Sequence, residues 1–218
     1  NTTDNTVNVV WADPSTSDYL QIKIATISGT AFSFGASIVV NNASSIESAV
    51  VYDSANNKVV VGWADTSNSY YGKSKVGTSN GATGMTFGTA TTFSSAFTAY
   101  ISGSFDSTQN KATFAYIDVA DSYKGKASTG TVSGTSISFT DPVTLYSGGT
   151  VNLNNLVFDP DTASFVYSNR ALPNSSGRSL VYKQGTAPNV ASFVGITEAA
   201  IANAATGAVT LQGGINTK

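Results

Sequence analysis

The sequence predicts an all-β fold made of repeated four-stranded antiparallel units of about 53 residues. Two observations favour it. Marker residues return at a fixed interval, and short runs of β-branched and aromatic residues alternate with clusters of Asp, Asn, Ser and Gly. Stacking of such units around an axis makes a β-propeller the first choice. A β-sandwich or a linear stack of β units is the alternative, because the sequence does not show whether a ring closes.

The interval is visible at several marker positions. The first set is an aspartate that recurs every 53 residues, at Asp53, Asp106 and Asp159. An aromatic residue recurs at intervals of 52, 53 and 51 residues, at Trp11, Trp63, Tyr116 and Tyr167. Phenylalanine and glycine recur in nearly the same register, at Phe34, Phe87 and Phe139 and at Gly72, Gly125 and Gly177. This register predicts a repeat domain over residues 1–186, with units at about 1–48, 49–101, 102–154 and 155–186.

The first two strands of each unit are predicted from turn chemistry and hydrophobicity. The first strand ends at the Asp53 position, where the carboxylate accepts N–H groups of the following turn. The second strand carries the Trp63-type aromatic. Its apolar residues are nearly continuous, so we expect it to be buried on both faces, with Trp11 and Trp63 in the core. Residue 1 falls near the register of Asp53, so the first unit is expected to lack its opening strand.

The third and fourth strands complete the predicted unit. The third runs through the Gly72 position, and tight turns at Ser28-Gly29 and Ser133-Gly134 lead to a fourth strand. From about residue 187 the pattern ends, and Ala and Gly increase. Residues 187–218 are therefore expected either to supply a strand that closes the ring or to begin a further module.

Composition excludes several classes of function. The chain has no His and no Cys, which removes Ser-His-Asp triads, His-ligated zinc, thiolate metal sites and disulfides, and no cofactor or metal is expected. The net charge is −2 and the 11 Lys and Arg residues are scattered, which disfavours a nucleic-acid partner. No run of 18 apolar residues occurs, so membrane insertion is not expected, and no signal peptide is visible at residue 1.

Three aspartates are candidate ligand-binding residues. Asp13, Asp65 and Asp118 each follow the aromatic of the second strand by two residues, so they are expected at one rim of neighbouring units. Carboxylates there are suited to a hard cation or to glycosidic-bond cleavage, but loop aspartates more commonly cap their own loops, and that interpretation is preferred. The only glutamates, Glu47 and Glu198, lie in linker-like segments, which disfavours a glycosidase. We expect no catalytic residues.

Tyrosines on or beside the third strand form the second candidate set. They alternate with lysines along one region of each unit, and the set consists of Tyr19, Tyr70, Tyr71, Tyr123 and Tyr182. Aromatic rings flanked by hydroxyl and amide groups are suited to binding sugars. Tyr70, Tyr71 and Tyr123 are taken as the candidate ligand-binding residues. The alternative is that they are ordinary solvent-exposed strand residues, with the lysines discouraging edge pairing.

Several segments resemble a known group of proteins. They are YDSANNKVVVGWAD, YYGK, SYKG, GTVSGTSISFTDPV at 130–143 and FVGITEAAIANAATGAVTLQGGI at 193–215. Together they look like the repeat and terminal module of long tail-fibre or other virion structural proteins of marine bacteriophages. The resemblance covers about residues 4–215, although this chain has far fewer copies of the repeat. It carries no catalytic motif, so no site residue is transferred.

The resemblance implies a non-enzymatic, virion or extracellular protein of the tail-fibre or surface-appendage type. Its expected partners are other virion proteins, further copies of itself or a host surface glycan. Two alternatives remain at this point: a secreted carbohydrate-active propeller enzyme that uses the three aspartates, and a bacterial surface-layer or extracellular filament protein.

Overall fold

The computed structural model describes residues 1–81, 84–173, 176–185 and 194–195. Within these ranges the protein is all-β. Seventeen strands form curled antiparallel sheets arranged as a half-barrel, with two 3₁₀ turns, Pro14–Thr16 and Thr66–Asn68, and no α-helix. The same ranges contain no helix long and apolar enough to cross a membrane.

The strands belong to three hydrogen-bonded sheets. The eight-stranded sheet contains β1 (Thr6–Asp13), β2 (Tyr19–Ser28), β3 (Ala31–Phe34), β4 (Ile38–Asp53), β5 (Lys58–Asp65), β6 (Tyr71–Ser79), β7 (Met85–Phe87) and β8 (Thr91–Ser94). The five-stranded sheet contains β9 (Thr98–Asp106), β10 (Lys111–Asp118), β11 (Lys124–Ser133), β12 (Ser136–Phe139) and β13 (Val143–Tyr146). The four-stranded sheet contains β14 (Val151–Asp159), β15 (Ser164–Ala171), β16 (Ser176–Tyr182) and β17 (Val194–Gly195).

The long strand β4 divides the eight-stranded sheet into two layers. Its residues 38–44 pair with β2, and its residues 45–53 pair with β5. Side chains of β2 and β5 share one apolar cluster, so the two halves of the sheet lie face to face. We call β1–β3 with residues 38–44 the first layer, residues 45–53 with β5–β8 the second, β9–β13 the third, and β14–β17 the fourth.

The core lies between consecutive layers. Between the first and second layers, the cluster includes Leu20, Ile22, Ile24, Val59, Val61 and Trp63. Between the second and third layers, it includes Val60, Ala64, Val76, Phe93, Phe114 and Tyr116. Between the third and fourth layers, it includes Ala115, Ile117, Leu145, Leu156, Phe165 and Tyr167. Burial of this apolar surface is the main force that holds the layers together.

The second strand of an inner layer is buried on both faces, as the sequence predicts. Residues 59–64 of β5 and 112–118 of β10 are all buried, and alternate side chains enter different clusters. Trp63 is 1% exposed, which confirms its place in the core. The same expectation for Trp11 is wrong: Trp11 is partly exposed on the outer side of the first layer, with Lys23 Nζ 5.8 Å above its ring.

The predicted fourth strand is split into two pieces. In the third layer, β12 pairs with one half of β11 and β13 with the other half. Pro142 lies between them and has no N–H to donate to a ladder, so pairing is interrupted there. The turns that precede the split strands are as predicted, because Gly29 and Gly134 have φ of +60° and +61° and accept the left-handed conformation at little cost.

The predicted C-terminal segment, residues 187–218, lies outside the described residues except for Val194–Gly195. These two residues pair with Ser179 and Arg178 of β16.

Candidate functional site

One end of the layers carries the candidate residues from the sequence. At this end the second strand of a layer passes to the third, and each layer passes to the next. Backbone hydrogen bonds join the two kinds of connection: Thr98 N–H donates to Tyr70 O at 2.9 Å, and Val151 N–H donates to Tyr123 O at 3.0 Å. The Tyr70 and Tyr123 backbones therefore stand at junctions between layers.

Asp13 and Asp65 cap the turns that follow them. Each precedes a 3₁₀ turn, and its Oδ1 accepts the N–H of the residue two positions later, at 3.0 Å from Ser15 and 3.1 Å from Ser67. The serine hydroxyls donate to the same oxygens. Asp13 Oδ2 also accepts from Gln21 Nε2 at 2.5 Å. These are the contacts of an N-cap aspartate.

Asp118 occupies the corresponding place in the third layer but belongs to an ion-pair network. Its Oδ1 accepts the Asp121 N–H at 3.0 Å, and Lys126 Nζ lies 2.7 Å from its Oδ2. Lys126 also lies 2.8 Å from Asp121, which in turn pairs with Lys124. Partial burial lowers the Lys126 pKa, but its bonds to Asp118 and Asp121 outweigh this effect and raise the pKa overall.

The three aspartates thus serve as local acceptors. The part of the chain that the structure describes contains no group of three His, Cys, Asp or Glu residues able to hold a metal ion. Their positions support the interpretation that each carboxylate fixes its own loop.

Of the candidate tyrosines at the same end, Tyr123 is exposed, whereas Tyr70 and Tyr71 are partly buried. Tyr70 and Tyr123 follow these turns in left-handed backbone, with φ of 60° and 58°. Tyr70 stacks on Phe97 with ring centroids 4.2 Å apart and planes 11° from parallel. Tyr123 is 45% exposed. Tyr71 begins β6 and is partly buried, with Lys73 Nζ 6.0 Å from the centre of its ring.

Two aromatic residues at this end were missed by the sequence analysis. Phe97 and Tyr100 are 39% and 37% exposed. Together with Tyr70 and Tyr123, at the same end of the layers, they make up the set that we call the aromatic rim; within it the rings of Tyr70 and Phe97 are in contact. The repeat interval gives no sign of Phe97, because the positions 53 residues before and after it hold Ser44 and Thr150. Tyr182, grouped with the tyrosines by sequence, is instead 3% exposed and packs in the core.

Glu47 also lies near the aromatic rim. The sequence analysis placed it in a linker, but it lies in β4 at a bulge, with φ of 52°. Its carboxylate accepts a backbone hydrogen bond at Tyr100, which itself has φ of 50°. Burial raises the pKa of Glu47, and the bond at Tyr100 opposes that rise.

An open pocket of about 260 Å³ adjoins the rim and is lined by Asn154, Asn155, Ser168, Asn169 and Arg170. Asn154 Nδ2 donates to Tyr100 O, which connects the pocket to the aromatic rim. Asn169 is 7% exposed. Within the described part of the chain its amide forms no hydrogen bond of good geometry, although the Tyr167 hydroxyl lies beside it. The pocket thus offers amides, a hydroxyl and a guanidinium, and it is joined to the rim through the backbone of Tyr100.

Comparison with known proteins gives no family. No protein-family model and no curated protein matches this chain.

Proposed function

We propose that this protein is a non-enzymatic surface protein of a phage particle, and that its aromatic rim and the adjoining amide pocket bind a glycan of the host. The observation that carries the proposal is the presence, at one end of the layers, of exposed rings beside a pocket of amide and hydroxyl groups. Sugars stack their apolar faces on aromatic rings and pair their hydroxyls with amides.

The contacts of the three aspartates support the proposal that the protein is not an enzyme. A glycosidase needs one carboxyl group as acid and another as base or nucleophile. Asp13 and Asp65 are engaged by their own turns, and Asp118 is paired with Lys126. A carboxylate bound in this way is poorly suited to transfer a proton to a substrate.

The proposal also includes an architecture, in which the four layers are consecutive blades of a propeller-like ring. Support comes from the strand order within layers, from second strands buried on both faces, and from contacts between the first strands of neighbouring layers. The phage assignment is supported by the resemblance of the sequence segments to virion repeat proteins.

Glycan binding is tested with the purified chain on an array of bacterial surface polysaccharides, followed by calorimetric titration of any glycan that binds. Tyr100→Ala and Tyr123→Ala should each weaken binding about tenfold, because each removes an exposed ring. Gln109→Ala is the control, since Gln109 is exposed in a turn at the opposite end of the layers. Binding that is unchanged in both tyrosine variants would contradict the proposed site.

The phage assignment is tested by labelling the source material with antibodies raised against the chain. Labelled virions are the expected result. Labelling confined to cell envelopes would contradict the proposal and favour a bacterial surface-layer protein.

A further inference from the structure

The outer face of the first layer is an exposed apolar surface. Residues paired directly across neighbouring strands lie on one face of a sheet, which places Val9, Trp11, Ile27, Phe32, Phe34 and Val39 together. Phe32 and Phe34 are 57% and 53% exposed, and their rings stack 6.1 Å apart. Contiguous apolar surface of this kind marks an interaction site.

The matching face of the second layer is covered. β5 corresponds to β1, because both end in an aspartate that caps the next turn and both carry a tryptophan two residues before it. Val61 and Trp63 of β5 are buried against β2 of the first layer, and Met85 of β7 packs in the same cluster. In the third layer, Phe114, Tyr116 and Ile137 are buried in the same way against the second layer.

Lys23 does not prevent the outer face of the first layer from being covered. It pairs with Val9, as Lys75 of the second layer pairs with Val61. Lys75 nevertheless lies at an interface, where its Nζ donates to Val40 O of the first layer at 2.6 Å. A lysine at this position can therefore be buried between layers when a backbone carbonyl faces it.

The outer face of the fourth layer is the opposite end of the stack. Val157, Val166 and Val181 are paired directly across β14, β15 and β16, and they are 57%, 39% and 38% exposed. They point away from Leu156, Phe165 and Tyr182, which face the third layer. The inner layers use the corresponding side of their sheets to cover the next layer.

We propose that the outer face of the first layer in one copy of the chain packs against the valine face of the fourth layer in a second copy. The contact would continue the series of interfaces between consecutive layers. Because each copy offers both faces, two copies form two equivalent contacts and close a ring of eight layers. Known propellers have up to eight blades, so a ring of eight layers is within their range. Closure of the ring rests on the proposed propeller-like architecture, but the contact between the two faces does not.

The proposal is tested by light scattering and sedimentation on the full chain over a range of concentrations. The wild type should be dimeric at micromolar concentration. Phe32→Glu and Val157→Glu should each raise the dissociation constant of the dimer by roughly a hundredfold or more, because each buries a charge in an apolar contact. Gln109→Glu adds the same charge at an exposed turn and should stay dimeric. Circular dichroism checks folding, and Phe34→Ser and Val181→Ser replace any variant that does not fold.

Mixing the two glutamate variants distinguishes the proposed contact from other pairings. The Phe32→Glu copy keeps its fourth-layer face and the Val157→Glu copy keeps its first-layer face, so the mixture should form a heterodimer through one intact contact.

A wild type that stays monomeric would overturn the proposal and leave residues 186–218 of the same chain to cover the face. A Val157→Glu variant that stays dimeric would overturn it in favour of two first-layer faces in contact. Growth beyond two copies would overturn closure. Asn155, Ser168 and Arg170 of the amide pocket lie on the same face of the fourth layer as the valines, so the oligomeric state is measured without glycan, and glycan binding is measured separately on the Val157→Glu variant.

Discussion

The hydroxyl of Tyr167 in the fourth layer lies over the backbone of Gly125 in the third, in the space that a β-carbon on residue 125 would need. Tyr167 is fully buried, and burial raises the pKa of its hydroxyl. Glycine at position 125 is therefore explained by packing between two layers, since it lets the large ring approach the strand closely.

Gly125→Ala should lower the free energy of unfolding by about 1 to 3 kcal/mol, because the added methyl group overpacks the interface between the third and fourth layers. Gly177→Ala is the control. Gly177 is likewise the second residue of its layer's third strand, but it pairs with Arg170 at the strand end, and no described atom lies within 4 Å of the β-carbon that alanine would add. Urea unfolding of the two variants gives the comparison. Adding Tyr167→Phe to Gly125→Ala should restore part of the loss, and equal effects of the two alanine variants would contradict the explanation.

Two copies of one turn, one with a buried aspartate and one with a partly exposed aspartate, should differ in how much stability the aspartate supplies. Asp53 is fully buried, and its Oδ1 accepts the N–H groups of Ala55 and Asn56, both at 3.0 Å. Asp53→Ala removes a buried, charged acceptor that bonds both N–H groups, and should cost about 2 to 4 kcal/mol. Asp159→Ala should cost clearly less, because the Asp159 side chain is partly exposed and water competes for the hydrogen bonds from Asp161 and Thr162. The midpoints of urea unfolding measure the difference, and a larger loss in Asp159→Ala would contradict it.

The strands and turns that the sequence predicted correctly depend on local signals. The continuous apolar run of β5 implied burial on both faces, and Ser28-Gly29 implied a tight turn. Trp11 shows the limit of this reasoning. It has the same local sequence pattern as Trp63, but its burial depends on whether another layer covers the sheet.

The candidate site was predicted only in part for a related reason. Tyr123 is accessible as expected, and Asp13 and Asp65 cap turns as one interpretation allowed. The partner of Tyr70 is Phe97, which lies in the connection to the next layer and breaks the repeat pattern. A contact made by two connections depends on how layers follow one another, and hydrophobic periodicity contains no information about it.

The Lys126–Asp118 ion pair should stabilise the third layer more than the neighbouring Lys124–Asp121 pair does. Lys126 and Asp118 side chains are 17% and 8% exposed, so removing the lysine leaves a nearly buried charge without its partner. Lys126→Met should therefore cost about 2 to 4 kcal/mol at neutral pH. Lys124→Met should have little effect, because the Lys124–Asp121 pair is 33% and 38% exposed.

The pH dependence gives an independent check of this pair. The folded-state pKa of Lys126 is raised above its ordinary value of 10.5, so its stabilisation is complete below pH 10.5 and is lost as pH rises through the folded-state pKa. The difference in unfolding free energy between wild type and Lys126→Met should thus shrink in alkaline solution. Adding Asp118→Asn should recover part of the loss at neutral pH, and no recovery would contradict the assigned pairing.

Glu47 should make the protein more stable as the solution becomes mildly acidic. Burial raises its pKa above the ordinary value of 4.5, so the folded chain binds this proton more tightly than the unfolded chain does. Stability from this group therefore increases as pH falls through the raised pKa towards 4.5. Glu47→Gln is neutral at every pH, and its amide oxygen can still accept the backbone hydrogen bond at Tyr100.

We expect Glu47→Gln to be more stable than the wild type at pH 7, by less than about 1 kcal/mol, because the half-exposed carboxylate keeps part of its hydration. This advantage should shrink between pH 7 and pH 4.5 as the glutamate of the wild type becomes protonated. Urea unfolding of both proteins across this range measures it. An advantage that stays constant with pH would show that the carboxyl group does not titrate differently in the folded chain, and a less stable variant would mean that the charge itself supports the bulge.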